Sequence, residues 1–134
     1  MGDNQPAVRA VACALLCVLM AMVIGLSACN RDLTREAAAL TGGDPARGRA
    51  AIRHYGCPSC HTIPGVTGAY GLVGPPLGGI ANRVYIAGML PNTPDNMIRW
   101  IQAPQQVHKH TAMPNMGMTE SEARDIAGYL YTLR

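Results

Sequence analysis

The sequence predicts a small all-α domain, and three helix starts are the main observation behind this prediction. Asp44-Pro45 and Thr93-Pro94 each place a capping side chain before a proline, which is favoured at the first helical position. Thr119 and Glu122 form a capping-box pattern at the start of a last helix. No segment shows the alternating pattern of a strand. The chain has 134 residues, enough for one domain of this kind.

The first 28 residues are predicted to be a lipoprotein signal peptide. Residues 10–26 are an apolar run after Arg9, and this run is short for a membrane-spanning helix. The following Leu26-Ser27-Ala28-Cys29 resembles the lipobox of bacterial lipoproteins, in which the cysteine carries the lipid. The resemblance implies lipidation of Cys29 and a periplasmic, membrane-anchored protein. An uncleaved anchor helix over residues 10–28 is the alternative, and it also places the remainder outside the cytoplasmic membrane.

Residues 29–43 are predicted to be a lipidated flexible tether. The stretch has no core pattern and ends in Thr41-Gly42-Gly43, which is typical of a spacer. Residues 44–134 are then the folded domain.

The first helix of this domain leads directly to a motif for a cofactor. Gly48, Ile52 and Tyr55 lie on one face at helical spacing, and Gly56 is expected to end the helix. A glycine inside a helix costs about 1 kcal/mol relative to alanine. Close approach of another helix would explain why glycine stands at position 48.

Cys57-Pro58-Ser59-Cys60-His61 is the attachment signature of c-type haem. Cys57 and Cys60 can each bond one vinyl group of the porphyrin, and His61 can ligate the iron. A zinc site would need a second Cys or His pair at tight spacing, which His108 and His110 do not provide. A redox dithiol would need a βαβ context, which the Gly- and Pro-rich sequence downstream does not offer. The sequence therefore predicts one haem c.

Residues 62–79 are dominated by Gly and Pro and predict a long irregular loop. Such a loop in a small domain calls for a reason, and wrapping a flat cofactor is one. It contains Gly74-Pro75-Pro76-Leu77, in which a prolyl carbonyl can accept a hydrogen bond from Nδ1 of His61 and so orient the imidazole.

The methionine segment, residues 110–118 between the last two helices, contains three methionines and predicts the second iron ligand. A thioether is a soft, neutral ligand that suits haem iron. Pro114 favours an extended backbone at Met113, which we assign as the ligand. Met116, His108 and His110 remain alternatives. If none of these residues binds, the iron is open and the function is different.

These motifs, in this order, resemble the class I cytochrome c family from Asp44 to the C-terminus. The resemblance implies three main helices with long loops wrapped round one covalently bound haem. It also implies that Gly48 crosses the last helix near Ile126 and Tyr129. The residues that it places around the haem are Pro75, whose carbonyl orients His61, Leu77 at the haem edge, Arg83 and less strongly Tyr85 at the propionates, and Trp100 on the methionine side.

An iron held by His61 and Met113 has no free position, so we expect an electron carrier and not an enzyme. The expected protein is a membrane-tethered one-electron carrier between a respiratory donor and an acceptor, with a terminal oxidase as one candidate acceptor. An open-site haem protein, either a gas sensor or a peroxidase-like enzyme, is an alternative. A fixed electron-transfer subunit of a larger oxidoreductase is another. The net charge of +3 suggests acidic partners, and no basic stripe interleaved with aromatics indicates nucleic-acid binding.

Overall fold

The computed structural model describes residues 5–134, except for the side chains of residues 5–8, 10–12 and 23–30. The described elements in chain order are α1 (Gln5–Thr41), α2 (Pro45–His54), β1 (Tyr85–Ile86), β2 (Leu90–Pro91), α3 (Pro94–Gln102), α4 (Pro104–Val107) and α5 (Glu120–Tyr131). Two 3-10 turns cover Cys57–Ser59 and Ile80–Asn82. The all-α prediction is confirmed. The two-residue antiparallel hairpin was not predicted, since strands this short leave no alternating pattern.

The chain divides into two compact units between residues 33 and 34. In the first unit, the described apolar side chains of α1 between residues 13 and 22 are exposed. Among the described residues, no helix is both long enough and apolar enough to cross a membrane. Cys29 belongs to the side chains outside the described residues, as do several residues of the predicted signal peptide. Lipidation of Cys29 therefore stays a prediction.

The structure has a helix where a flexible tether was predicted, because α1 continues to Thr41. Ala37 and Thr41 are only 1% exposed, so the end of α1 belongs to the core of the second unit. Residues 35–40 are mostly strong helix formers, and the Thr41 hydroxyl donates to the Ala37 carbonyl at 2.9 Å. Glu36 also forms an ion pair with Arg134 at 2.6 Å. Sequence pattern missed this packing because Ala and Thr give no strong apolar stripe.

Helices α2 and α5 cross at Gly48, as the resemblance implied. A Cβ at position 48 would overlap the backbone of Asp125 and lie 2.9 Å from the Ile126 nitrogen. The crossing is also fixed by the Asp125 carboxylate, which accepts from the Asp44 amide at 2.6 Å and from Arg47 Nε at 2.8 Å. The hydrogen bonds from Arg47 lower the pKa of Asp125 below its ordinary value. These contacts anchor the first turn of α2 against α5, and the rest of α2 leads from there to the Cys57–His61 motif.

An apolar cluster of the described residues lies under these helices and reaches the predicted cofactor residues. Its largest fully buried apolar side chains include Ile52 and Met97. Three partly buried residues of the predicted site pack against it: Cys57, Leu77 and Trp100. The cluster therefore forms one wall of the candidate site.

Candidate haem-binding site

The Cys57–His61 motif forms one tight turn after α2. Gly56 has a φ of +70°, a left-handed conformation that ends the helix and redirects the chain. The amides of Cys60 and His61 both donate to the Cys57 carbonyl, at 3.2 and 3.0 Å. Both cysteines are half-buried, and burial raises the pKa of the Cys57 thiol. Two thiols and one imidazole therefore project from a single turn.

The His61 ring is held by the loop that follows. Its Nδ1 lies 2.7 Å from the carbonyl oxygen of Pro75. A carbonyl only accepts, so Nδ1 must carry a proton, and in the neutral imidazole Nε2 then has the free lone pair that can bind a metal. Behind the ring, a Cβ at position 74 would overlap the imidazole. Gly74 therefore allows the loop to lie directly against His61.

Two backbone hydrogen bonds tie this loop to the turn, and a third ties it to Thr62, the residue after the turn. The Gly74 amide donates to the Cys60 carbonyl at 2.8 Å and the Leu77 amide to the Thr62 carbonyl at 2.8 Å. The Gly71 amide donates to the Pro58 carbonyl at 3.2 Å. A Cβ on Gly71 would approach the Cys60 carbonyl carbon to 2.6 Å, so this contact also requires glycine. The loop and the turn act as one rigid unit.

The methionine segment places its three sulfur side chains in different environments. Met118 is buried in the core and Met116 is 38% exposed, whereas Met113 is half-buried. The Met113 carbonyl accepts from Gln105 Nε2 at 2.7 Å, and its amide donates to the Thr111 hydroxyl at 3.2 Å. Met113 is thus the methionine that is neither in the core nor largely in solvent, although its ligation stays a prediction.

The alternative histidine ligands lie just before this segment. The rings of His108 and His110 contact each other edge to face, with centroids 6.4 Å apart. His108 is half-buried and His110 is exposed. This contact gives neither ring the fixed orientation that Pro75 gives to His61.

The remaining predicted residues fall into two groups. Leu77 and Trp100 lie against the core, where an apolar ring would also pack. Arg83 donates to the carbonyls of Pro76 and Gly78, so its guanidinium lies at the same loop that holds His61. Tyr85, in β1, is 59% exposed. Its role at a propionate, like that of Arg83, stays a prediction.

Sequence reasoning missed several residues that build this site. Gly74 and Gly71 could have been noticed as glycines in a loop of fixed shape, but nothing in the sequence says which atoms they approach. Gln105 gives no signal in an exposed polar stretch. Asn92 donates to the carbonyls of Ile80 and Arg83, both at 2.8 Å, and accepts from the Tyr131 hydroxyl. Its side chain joins α5 to the loop before β1.

These residues fit a covalently bound haem. The two thiols and the available Nε2 of His61 are the donors that c-type attachment and axial ligation require. Cys13 and Cys17 are exposed on α1 and have three residues between them, so they do not repeat the motif.

Comparison with known proteins agrees with this geometry. The Cytochrome c family model matches residues 45–134. Cytochrome c oxidase subunit 2 of Alkalihalophilus pseudofirmus is 30% identical over 89 residues, which are 66% of this chain and 25% of that protein. The chain therefore spans about a quarter of the length of this curated relative. No solved structure matches the chain. The match over most of the chain shows that it belongs to the cytochrome c family, whose domains carry covalently attached haem c and transfer electrons through it.

Proposed function

We propose that this protein is a membrane-tethered one-electron carrier of a respiratory chain, with His61 and Met113 as the two axial ligands. The observation that carries the proposal is the fixed His61 ring, whose Nδ1 lies 2.7 Å from the Pro75 carbonyl oxygen. Electron transfer is fast when the ligands move little between oxidation states, and a ring held by the Gly74–Pro75 loop meets this need.

Haem c supplies the one-electron couple when bound, and the chain controls its surroundings. His61 is oriented by Pro75 and confined by Gly74. Leu77 and Trp100 extend the apolar core to the site, which limits water there. Met113 is half-buried although its neighbours are exposed, and its thioether would be the second ligand that closes the iron. A closed iron favours electron transfer over substrate chemistry at the metal.

The proposed acceptor is a terminal oxidase. The similar region of the curated relative is part of a protein named as a cytochrome c oxidase subunit. The same observation favours a second candidate function, a fixed electron-transfer subunit of an oxidase complex, because in that relative the similar region covers only a quarter of a longer chain.

The proposed location is periplasmic, with a lipid on Cys29. Leu15, Leu16 and Leu19 on α1 are 60–61% exposed, an apolar surface suited to membrane targeting. The Leu26-Ser27-Ala28-Cys29 sequence provides the lipidation pattern. Mass spectrometry of the membrane-extracted protein tests this: loss of residues 1–28 together with added acyl mass is expected, and an unmodified N-terminus would contradict it.

A reduced-state visible spectrum with carbon monoxide tests the closed site. We expect sharp low-spin bands that carbon monoxide leaves unchanged, because no axial position is free. Rapid binding of carbon monoxide by the native protein would instead support the open-site alternative.

The partner is tested with membranes of the organism that encodes the chain. The reduced protein should be oxidised by them in a reaction that cyanide, an oxidase inhibitor, prevents. Extraction in mild detergent separates the two candidates: a free carrier elutes alone, whereas a fixed subunit elutes with oxidase subunits.

A further inference from the structure

An exposed apolar loop, residues 70–73, lies beside the haem-attachment turn, Cys57–His61. Three of its side chains are more than three-quarters exposed: Tyr70 (77%), Leu72 (89%) and Val73 (78%). Two backbone hydrogen bonds hold this run against the turn. Gly71, within the run, donates to the Pro58 carbonyl, and Gly74, directly after it, donates to the Cys60 carbonyl. The apolar side chains are therefore carried next to the residues that hold the haem.

The surroundings of this loop along the chain carry no formal charge. No Lys, Arg, Asp or Glu occurs between Arg53 and Arg83, a stretch that contains both the turn and the loop. The methionine segment also lacks formal charge, because no Lys, Arg, Asp or Glu occurs between Lys109 and Glu120. Arg83 contacts only the later part of the loop, at the carbonyls of Pro76 and Gly78. The charges that give the chain its net +3 thus lie outside both segments that carry the predicted ligands.

We propose that residues 70–73 are the docking surface for an uncharged, apolar face of a redox partner protein. This inference rests on the proposed electron-transfer function and specifies how the partner is recognised. A partner that receives an electron must approach the haem closely, and the side chains it meets beside the attachment turn are Tyr70, Leu72 and Val73. Apolar burial provides attraction there without charge pairing. The net charge of +3 suggested an acidic partner surface, and this proposal expects an apolar partner surface instead.

The size of the surface favours a short-lived protein complex over a stable dimer. Three exposed side chains offer roughly 400 Å² of apolar surface. A stable interface buries about 800 Å² on each partner, whereas redox encounters are smaller. A lipid surface is a poorer occupant, because membrane-binding loops usually carry basic residues that pair with anionic lipids. Residues 54–82 contain no Lys or Arg.

Charge insertion of both signs at Leu72 tests the proposal. The variants are Leu72→Lys and Leu72→Glu in the full-length holoprotein, and the readout is the oxidation rate by the cognate membranes. An apolar partner face predicts that both variants react about tenfold more slowly, since either charge must be desolvated on docking. The wild-type rate should change less than about twofold between 0.01 and 0.15 M salt. Opposite effects of the two charges, or a steep salt dependence, would overturn the proposal.

A second readout does not depend on the identity of the partner. Electron self-exchange between oxidised and reduced protein in detergent, measured by NMR line broadening, brings two of these loops together. Both Leu72 variants should slow it, and unchanged self-exchange would overturn the proposal. If self-exchange responds but the membranes never oxidise the wild type, the proposed acceptor is wrong and the docking surface stands.

A matched control is available on another exposed leucine. Leu40 is 50% exposed on α1, whose end packs against α5 through Thr41. Leu40→Lys and Leu40→Glu add the same charges to the same protein and should leave both rates unchanged. If they slow the reactions as much as the Leu72 variants, net charge and not the loop is responsible, which would contradict the proposal.

Discussion

The two sides of the haem site are built in different ways. On the histidine side, backbone hydrogen bonds join the Cys57–His61 turn to Gly71 and Gly74, and Gly74 leaves no room for a Cβ beside the imidazole. On the methionine side, the hydrogen bonds of the Met113 backbone run to two side chains, Gln105 and Thr111. The predicted histidine ligand is therefore fixed by backbone packing, whereas the predicted methionine ligand depends on side-chain contacts.

This difference indicates which kind of substitution disrupts each side of the site. A backbone-packed loop tolerates no added atom, but it is insensitive to the loss of any single side-chain contact. A segment held by side-chain hydrogen bonds is sensitive to the loss of a single side chain. Each neutral hydrogen bond contributes about 1 kcal/mol and can be removed separately. We therefore expect steric changes to be most damaging around His61, and truncations to matter more around Met113.

The largest expected effect is that of Gly74→Ala. The new methyl group would overlap the His61 ring, so the ring must tilt away from the Pro75 carbonyl. We expect the low-spin spectrum to be lost while the haem stays attached through Cys57 and Cys60. Visible spectra together with protein mass report both properties. Gly78→Ala is the control, since its Cβ would meet only Pro64 at 3.4 Å. A normal spectrum in Gly74→Ala would show that the ring has room to spare.

Met113→Ala should have a more restricted effect. Loss of the thioether opens one axial position, so carbon monoxide binds rapidly while the fold and the covalent haem are retained. Met116→Ala is the matched control, because this side chain is 38% exposed and we expect an unchanged low-spin spectrum. If Met116→Ala opened the iron and Met113→Ala did not, the ligand assignment would be reversed. If neither did, His108 or His110 would be the ligand to examine.

The α2–α5 crossing, away from both predicted ligands, carries a pH dependence. Hydrogen bonds from Arg47 and the Asp44 amide lower the pKa of Asp125. Its stabilising effect is therefore complete above the ordinary aspartate pKa and is lost as the pH falls through the lowered native pKa. Asp125→Asn should cost about 2 kcal/mol near pH 7 and progressively less in acid. Denaturant titrations at several pH values measure this difference, and a constant difference would contradict it.

Sequence alone predicted the parts of this molecule that depend on local signals. The caps at Asp44, Thr93 and Thr119 gave the starts of α2, α3 and α5, and the structure has side-chain capping bonds at all three. The Cys57–His61 motif gave the cofactor class, because a histidine directly after the Cys-x-x-Cys spacing supplies both the attachment thiols and an iron ligand. Gly48 indicated the close approach of another helix, since a glycine in a helix calls for a packing reason, and the family resemblance identified the last helix as the partner.

What sequence missed depends on contacts between distant residues. Nothing local says that Gly74 lies against an imidazole thirteen positions earlier, or that Asn92 joins the loop before β1 to Tyr131. The end of α1 was misread as a spacer because its buried face consists of Ala37 and Thr41, which resemble surface residues in a pattern search. Small and polar residues acquire their roles from the partner surface, which the sequence does not display.

The smallest expected effect tests the side-chain hold on Met113 directly. Gln105→Ala removes the 2.7 Å hydrogen bond to the Met113 carbonyl, a loss of about 1 kcal/mol. The thioether should then leave the iron about fivefold more often, which the binding rate of imidazole to the ferric protein reports. Gln106→Ala is the control. The Gln106 side chain is next in sequence and exposed, and no described hydrogen bond joins it to Met113. An unchanged rate in Gln105→Ala would mean that Met113 is held by its haem contact alone, and the contrast between the two sides would then rest on His61 and Gly74.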